Sequence, residues 1–354
     1  MAMQRLFRQI TAGERISGAD WLLLAKKASL HELGFLAHAV RQRLHPEAVV
    51  SYVIDRNINY TDICISACKF CAFFKAPDVP GGQVLSKEEL QEKIAETKAL
   101  GGTQILLQGG LHPDLPLAFY EDMLRFMKGE EIHVHGFSPP EIHHFAQLFG
   151  LNTREVISRL QAAGLDSIPG GGAEILSNRV RQEMAPNKCD ADTWIRIMHE
   201  AHELGLRTTA TMMFGHIEHL EERLEHLQRV RALQDKTGGF TAFIPWPFQP
   251  DHTPLAATRR IEKTSAVQYL RMLALSRIFL DNIVNIQASW VTQGPKVAQL
   301  SLFFGANDFG STMIEENVVA AAGVHFRLSE EEIRRLVQDA GFTPRQRLMD
   351  YTLL

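Results

Sequence analysis

The chain has 354 residues, 45% hydrophobic and 22% charged, which suits one large soluble domain or two ordinary ones and supplies ample core. The formal net charge is −4, with no Lys/Arg stripe or basic tail, so neither nucleic acid nor an anionic membrane is an expected partner. No apolar run reaches membrane-spanning length, and the opening MAMQRLFRQITAGERIS lacks the apolar core and cleavage site of a signal peptide; a cytoplasmic setting is expected.

In chain order, an N-terminal helical region (18–44) leads to VVSYVID (49–55), a β-like run that opens into a loop holding three of the four cysteines within eight positions. Ser86 then starts a helix with the capping box Ser86-x-x-Glu89, and Gly101–Gly102 closes it. TQILLQ (103–108) reads as the next strand, then IHVHGF (132–137), LDSIPGGG, RTTATMMFG, FTAFIPWPF and NIQASW, with a last short strand near Ala306–Phe309. Helices are expected over 152–164, 192–204, 219–236 and 264–280. Strands alternating with helices predict a parallel sheet, since parallel neighbours need crossover connections. About eight such units predict a (β/α)8 TIM-type barrel, with an N-terminal helical extension (1–47), the barrel at 48–312 and a C-terminal helical segment (313–354). A doubly wound open sheet is the alternative, but its Gly-rich phosphate loop belongs after the first strand, where this chain has its cysteines. The unusual residues follow the strands, and a barrel gathers these on its active face.

The loop reads Cys64–Ile–Ser–Ala–Cys68–Lys–Phe–Cys71. Thiolates suit soft metals and iron–sulfur clusters. A [4Fe–4S] cube with full protein ligation takes four cysteines, so three leave one iron open to a cofactor or substrate. A structural zinc site is the competing reading; it needs a fourth ligand, from Cys189 or a histidine, and zinc sites usually come as two paired motifs. Cys189, in MAPNKCDAD, reads as an incidental loop cysteine.

This Cys-x3-Cys-x2-Cys pattern after a first strand, with aromatic Phe70 before the last cysteine, resembles the radical S-adenosylmethionine enzymes. The resemblance implies a [4Fe–4S] cluster on Cys64, Cys68 and Cys71, S-adenosylmethionine as co-substrate, a 5'-deoxyadenosyl radical, and an electron donor of the flavodoxin or ferredoxin type. TQILLQGGLHPD, HGFSPPEI and PGGGAEIL resemble a subgroup that makes deazaflavin and futalosine-derived compounds. The later stretches, above all Trp246–Gln249 and Gly305–Gly310, are similar to its dehypoxanthine futalosine cyclase branch, with the aminofutalosine synthase branch second. The cyclase resemblance implies menaquinone biosynthesis and dehypoxanthine futalosine as substrate.

By the same resemblance Phe70 lies against adenine. Gly109 and Gly110 meet the methionine amino group, although Leu111 stands where an acidic residue is usual. Ser138 and Glu141 follow the third strand as cofactor contacts, Glu141 equally as a helix-start charge. Glu174 suits the ribose hydroxyls, and Gly215 lies near adenine, with Glu218 beside it as a contact or helix cap. His112, His216 and Asp308 are candidate acid–base groups; His135, Gln249 and Trp290 are candidate substrate contacts. No arginine stands out for a substrate carboxylate.

Overall fold

Seven strands form one all-parallel sheet in chain order: β2 (Asp55–Asn59), β3 (Gln104–Gln108), β4 (His133–Gly136), β5 (Ser167–Ile168), β6 (Arg207–Phe214), β7 (Phe240–Pro247) and β8 (Asn285–Ile286). The computed structural model describes residues 2–354. A second parallel sheet has β1 (Val49–Val53) between β9 (Asp308–Ser311) and β10 (Thr343–Gln346). The two meet at both edges: Ile54 alone separates β1 from β2, and Gln287, just past β8, bridges Asp308 of β9. The expected barrel is therefore present as a curled seven-strand parallel sheet whose open side is closed by β9 and β1, rather than as a uniform ring of eight. No helix among the described residues is long and apolar enough to cross a membrane.

The helices between the strands start where local chemistry says they should. Ser86 accepts from Glu89 N at 3.2 Å while the Glu89 carboxylate accepts from Ser86 N at 2.8 Å, satisfying two donors that the first turn leaves free. The helices expected near 152–164, 192–204, 219–236 and 264–280 span Thr153–Ala163, Ala191–Glu203, Leu220–Thr237 and Ala266–Phe279.

The N-terminal extension is three helices, Ala2–Thr11, Gly18–Lys27 and Leu30–Leu44, the first lying before the region read as helical. They are bolted to the barrel through buried groups: Trp21 donates to Leu275 O (3.1 Å), and Arg41 Nε to Ala306 O (2.9 Å). Arg277 donates to Gly305 O (2.7 Å) and to the Asn307 side chain (2.6 Å), and Asn307 accepts in turn from Ile286 N (2.9 Å). The Gly305–Gly310 motif is thus the clasp between β8 and β9. The segment after 312 is not all helical. Helix Glu330–Asp339 gives way to β10, where Thr343 and an edge-tolerated Pro344 extend the chain beside Val49 and Val50, and the tail then turns under the barrel.

Candidate active site

The cysteine loop leaves the C-terminal end of β2 and is pinned at several points. Cys64 N donates to Lys75 O (2.9 Å), Lys75 N to Asp62 O (2.8 Å) and Cys71 N to Cys68 O (3.1 Å). The three cysteines are free thiols and line one cavity of about 180 Å³ together with Phe70, Gly109, Gly110, Ser138 and Glu141. Backbone N–H groups of Leu111 (3.2 Å) and Ser66 (3.4 Å) point at Cys64 Sγ, and the Ser66 hydroxyl lies 3.0 Å from Cys68 Sγ; such donors favour thiolate. Burial pushes the Cys68 thiol up to about 11 and raises Cys71. Among the described residues no three His, Cys, Asp or Glu groups stand close enough to hold a single ion. Three thiols around one cavity fit a ligand broader than one ion. Cys189 lies elsewhere: Arg181 donates to its carbonyl (2.9 Å) and sits 3.8 Å from its sulfur.

Gly109 and Gly110 line this cavity, and their lack of side chains has a cause in packing. A Cβ on Gly109 would fall 2.4 Å from the Tyr60 ring, and one on Gly110 would fall 2.1 Å from Ile63 O and 2.9 Å from Cys64 Cβ. The strand end can press against the cysteine loop only with bare backbone. Glu141 is a brace. One oxygen accepts from Tyr60 OH (2.8 Å) and Gly109 N (3.1 Å), the other from Ser138 N (2.7 Å) and Ser138 Oγ (2.6 Å). Ser138 and Glu141 therefore brace each other and the glycine turn, so the helix-start role expected of Glu141 is present, and both still border the cavity of the cysteines.

A larger cavity of about 360 Å³ fills the barrel interior and adjoins the first; Phe70, Gln108, Gly172 and Lys188 line both. At this junction Lys188 Nζ sits 2.9 Å from Glu174 Oε1 and 5.0 Å from the Phe70 ring centroid. The second Glu174 oxygen is buried with no partner, and its backbone sits at φ +40°, a strained conformation that holds the carboxylate in place. Below the junction, Trp246, Trp290, Leu106 and Met313 give apolar walls, while Asp55, Asn57, Gln104, His135, Arg347 and Tyr351 supply polar groups. Trp290 Nε1 donates to Ser311 O (2.9 Å), which fixes its ring. Asn57 Oδ1, Gln104 Oε1 and the Tyr351 hydroxyl are buried without partners.

Five expected site residues line neither cavity. His112 accepts from Asp114 N (3.1 Å) in its own turn. His216 has a fully buried side chain whose Nε2 faces Met213 O (3.0 Å) and whose Nδ1 accepts from Ile217 N (2.8 Å) and lies 3.1 Å from Glu218 Oε2, so its ring is turned away from both cavities. Gly215 donates to Glu218 (2.6 Å) in a turn at φ +89°, and Gln249 donates to Pro247 O (3.0 Å). Asp308 is wholly buried, accepting from Arg347 (2.6 and 3.1 Å), Ser51 Oγ (2.5 Å) and Gly310 N (2.9 Å).

Lys188 and Arg347 went unread because neither belongs to a strand-end motif. Asn57 did carry a signal: Asp55, Asn57 and Asn59 are polar at a period of two, which in a barrel strand faces them one way.

Comparison with known proteins agrees with this geometry. Residues 58–230 match the radical SAM superfamily, and residues 237–354 match the CofH/MqnC C-terminal region. The chain is 44% identical to the cyclic dehypoxanthine futalosine synthase of Halalkalibacterium halodurans, covering 100% of this chain and 95% of that one. It is 41% identical to the aminodeoxyfutalosine synthase of Thermus thermophilus, covering 96% and 92%. The FeFe-hydrogenase maturase HydG from Carboxydothermus hydrogenoformans shares the fold, with TM-score 0.77 at 18% identity over 98% of this chain and 80% of that one.

Proposed function

The chain belongs to the radical SAM superfamily, whose enzymes use a [4Fe–4S] cluster and S-adenosylmethionine, and from that premise we propose that it cyclises dehypoxanthine futalosine in menaquinone biosynthesis. Hydrogen leaves C4' of the sugar, the carbon radical closes onto the benzoate ring of the same molecule, and loss of one electron and one proton restores the aromatic ring. The end-to-end 44% identity to the H. halodurans enzyme carries this reading.

Cys64, Cys68 and Cys71 would hold the cluster, which with S-adenosylmethionine supplies the 5'-deoxyadenosyl radical. Phe70 and the unpartnered Glu174 oxygen stand at the cavity junction, where a ring face and an acceptor suit adenine and ribose hydroxyls. Trp246 and Trp290 offer aromatic walls for the benzoate ring. Asn57 and Gln104 offer unpartnered acceptors for sugar hydroxyls. The enclosing barrel keeps water and stray hydrogen donors from the radical. The setting is cytoplasmic, residues 48–312 form the catalytic barrel, and the electron comes from a flavodoxin- or ferredoxin-type donor.

Anaerobically reconstituted protein given dithionite, S-adenosylmethionine and dehypoxanthine futalosine is expected to release 5'-deoxyadenosine and the cyclised product, identified by mass spectrometry. Turnover with the enolpyruvyl benzoate substrate of aminodeoxyfutalosine synthases, and none with dehypoxanthine futalosine, would overturn the assignment.

A further inference from the structure

We propose that His135, Ser167 and His133 form a relay that carries the proton released on ring closure out of the barrel chamber, away from the cysteine loop. The inference rests on the cyclase reading. His133 and His135 are two apart on β4 and so project from the same face, and Ser167 of β5 is in register with His135. The Ser167 hydroxyl lies 2.7 Å from His135 Nδ1 and 2.7 Å from His133 Nε2. One hydroxyl held between two imidazole nitrogens can accept from one ring while donating to the other. His135 lines the chamber and is buried, whereas His133, at the start of the strand, is only partly buried.

Each carboxylate of the chamber already has a partner, and the unpartnered Tyr351 hydroxyl, its pKa raised by burial, is a proton donor and not an acceptor. Glu174 pairs with Lys188, Asp55 accepts from Gln104 (2.7 Å) and from Ser311, and Glu316 accepts from Val318, Val319 and Ala320 N. Burial, reinforced by His133 and Arg347, holds His135 neutral with a pKa lowered to about 3. A ring that cannot keep an added proton must pass it on. His133 is also lowered by burial, but Asp166 and Asp350 pull it upward against Lys128, so it is the end better able to carry charge.

Ring closure leaves an unpaired electron on the former benzoate ring. Its C–H bond breaks, the bonding pair stays in the ring, and the proton goes to His135 Nε2. The His135 Nδ1 proton moves to Ser167 Oγ as the serine proton moves to His133 Nε2. One electron leaves to an oxidised acceptor of the iron–sulfur class, and the arene is restored.

The test compares wild type with Ser167→Ala, Ser167→Thr and His133→Gln, measuring the ratio of cyclised product to 5'-deoxyadenosine from C4'-deuterated substrate. Deuterium transfer into 5'-deoxyadenosine is expected in every variant. The product ratio should fall at least about tenfold in Ser167→Ala and His133→Gln, since a positioned base is worth about 10²–10⁴, and Ser167→Thr should restore it. An unchanged ratio in Ser167→Ala or His133→Gln, or a Ser167→Thr as poor as Ser167→Ala, overturns the relay. If Ser167→Ala does not fold, His133→Gln at the partly exposed end decides alone. Imidazole ¹⁵N NMR of the cluster-free protein needs no substrate. At neutral pH the ring shifts should give His135 as its Nδ1–H tautomer and His133 with Nε2 unprotonated, and Ser167→Ala should move both; the opposite tautomer on His135, or shifts that Ser167→Ala leaves unmoved, overturns the relay. A wild type that yields 5'-deoxyadenosine but no cyclised product would sink the cyclase reading instead, and the NMR result would still judge the hydrogen-bonded chain.

Discussion

Arg347 and Asp308 form a buried two-point ion pair, Nε to Oδ2 at 2.6 Å and Nη2 to Oδ1 at 3.1 Å, that joins the C-terminal tail to β9. Removing the cation strands a buried carboxylate. Arg347→Ala is expected to lower stability by about 3–5 kcal/mol, the usual cost of breaking a buried pair from one side, and Arg347→Lys should recover only part of it because a single ammonium cannot reproduce the fork. Urea unfolding of the three proteins checks this; a loss under about 1 kcal/mol in Arg347→Ala would show that the pair is dispensable.

Gly110→Ala places a methyl group against Ile63 O and Cys64 Cβ, so the cysteine loop must shift. Iron and sulfide per chain after anaerobic reconstitution should fall by more than half, as expected when a tight backbone contact is overpacked. Gly129→Ala, with nothing within 4 Å of the added carbon, is the matched control and should load like wild type.

Glu174→Ala removes the unpartnered oxygen at the cavity junction. The Kd for S-adenosylmethionine, measured by calorimetry on the reconstituted protein, should rise roughly tenfold, equivalent to about 1.4 kcal/mol. Glu174→Ala also leaves Lys188 without its partner, so Glu174→Gln separates charge from hydrogen bonding: a Kd close to wild type in Glu174→Gln would mean that the acceptor oxygen, not the charge, is what the ligand uses.

Two histidines outside the chamber set an acid limit. Burial lowers His226 to about 3 and His202 to about 4. Above about pH 6.5 the folded and unfolded states both hold these rings neutral; below it the unfolded chain takes up protons that the folded chain refuses, so stability falls as pH drops from about 6.5 to the folded values. Each ring contributes a slope of up to about 1.4 kcal/mol per pH unit in that window. Urea midpoints from pH 7.5 to 4.5 should decline, and His226→Phe should flatten the curve.

The alternation of strands and helices was legible where a helix begins with a side-chain cap, as at Ser86, Asn152, Asp190 and Ser265, and where a strand is an apolar run, as in β3 and β7, and those are local properties. The cysteine spacing was legible for the same reason. Asp308 was misread because its partner lies 39 positions later, and proximity across the fold leaves no mark on either residue. His216 was misread because a histidine after a glycine at a strand end looks alike whether its ring turns to the cavity or, as here, back onto Met213 O and Ile217 N. Gly109 and Gly110 stood out as a pair after a strand, but the reason that the structure shows for glycine is the neighbouring loop.

The register that sets Val49 beside Thr343 also has a consequence for how the protein is made. The first barrel strand is paired on its outer edge by the last strand, and the tail bearing Arg347 and Tyr351 comes later still. At about 5–20 residues per second, the intervening stretch of roughly 300 residues takes about 15–60 s to synthesise. For most of that time the cysteine loop is already outside the ribosome while the strands that complete the chamber are still to be made. Reducing conditions and protection of the nascent thiols therefore matter during translation itself, before any enzyme exists to be assayed.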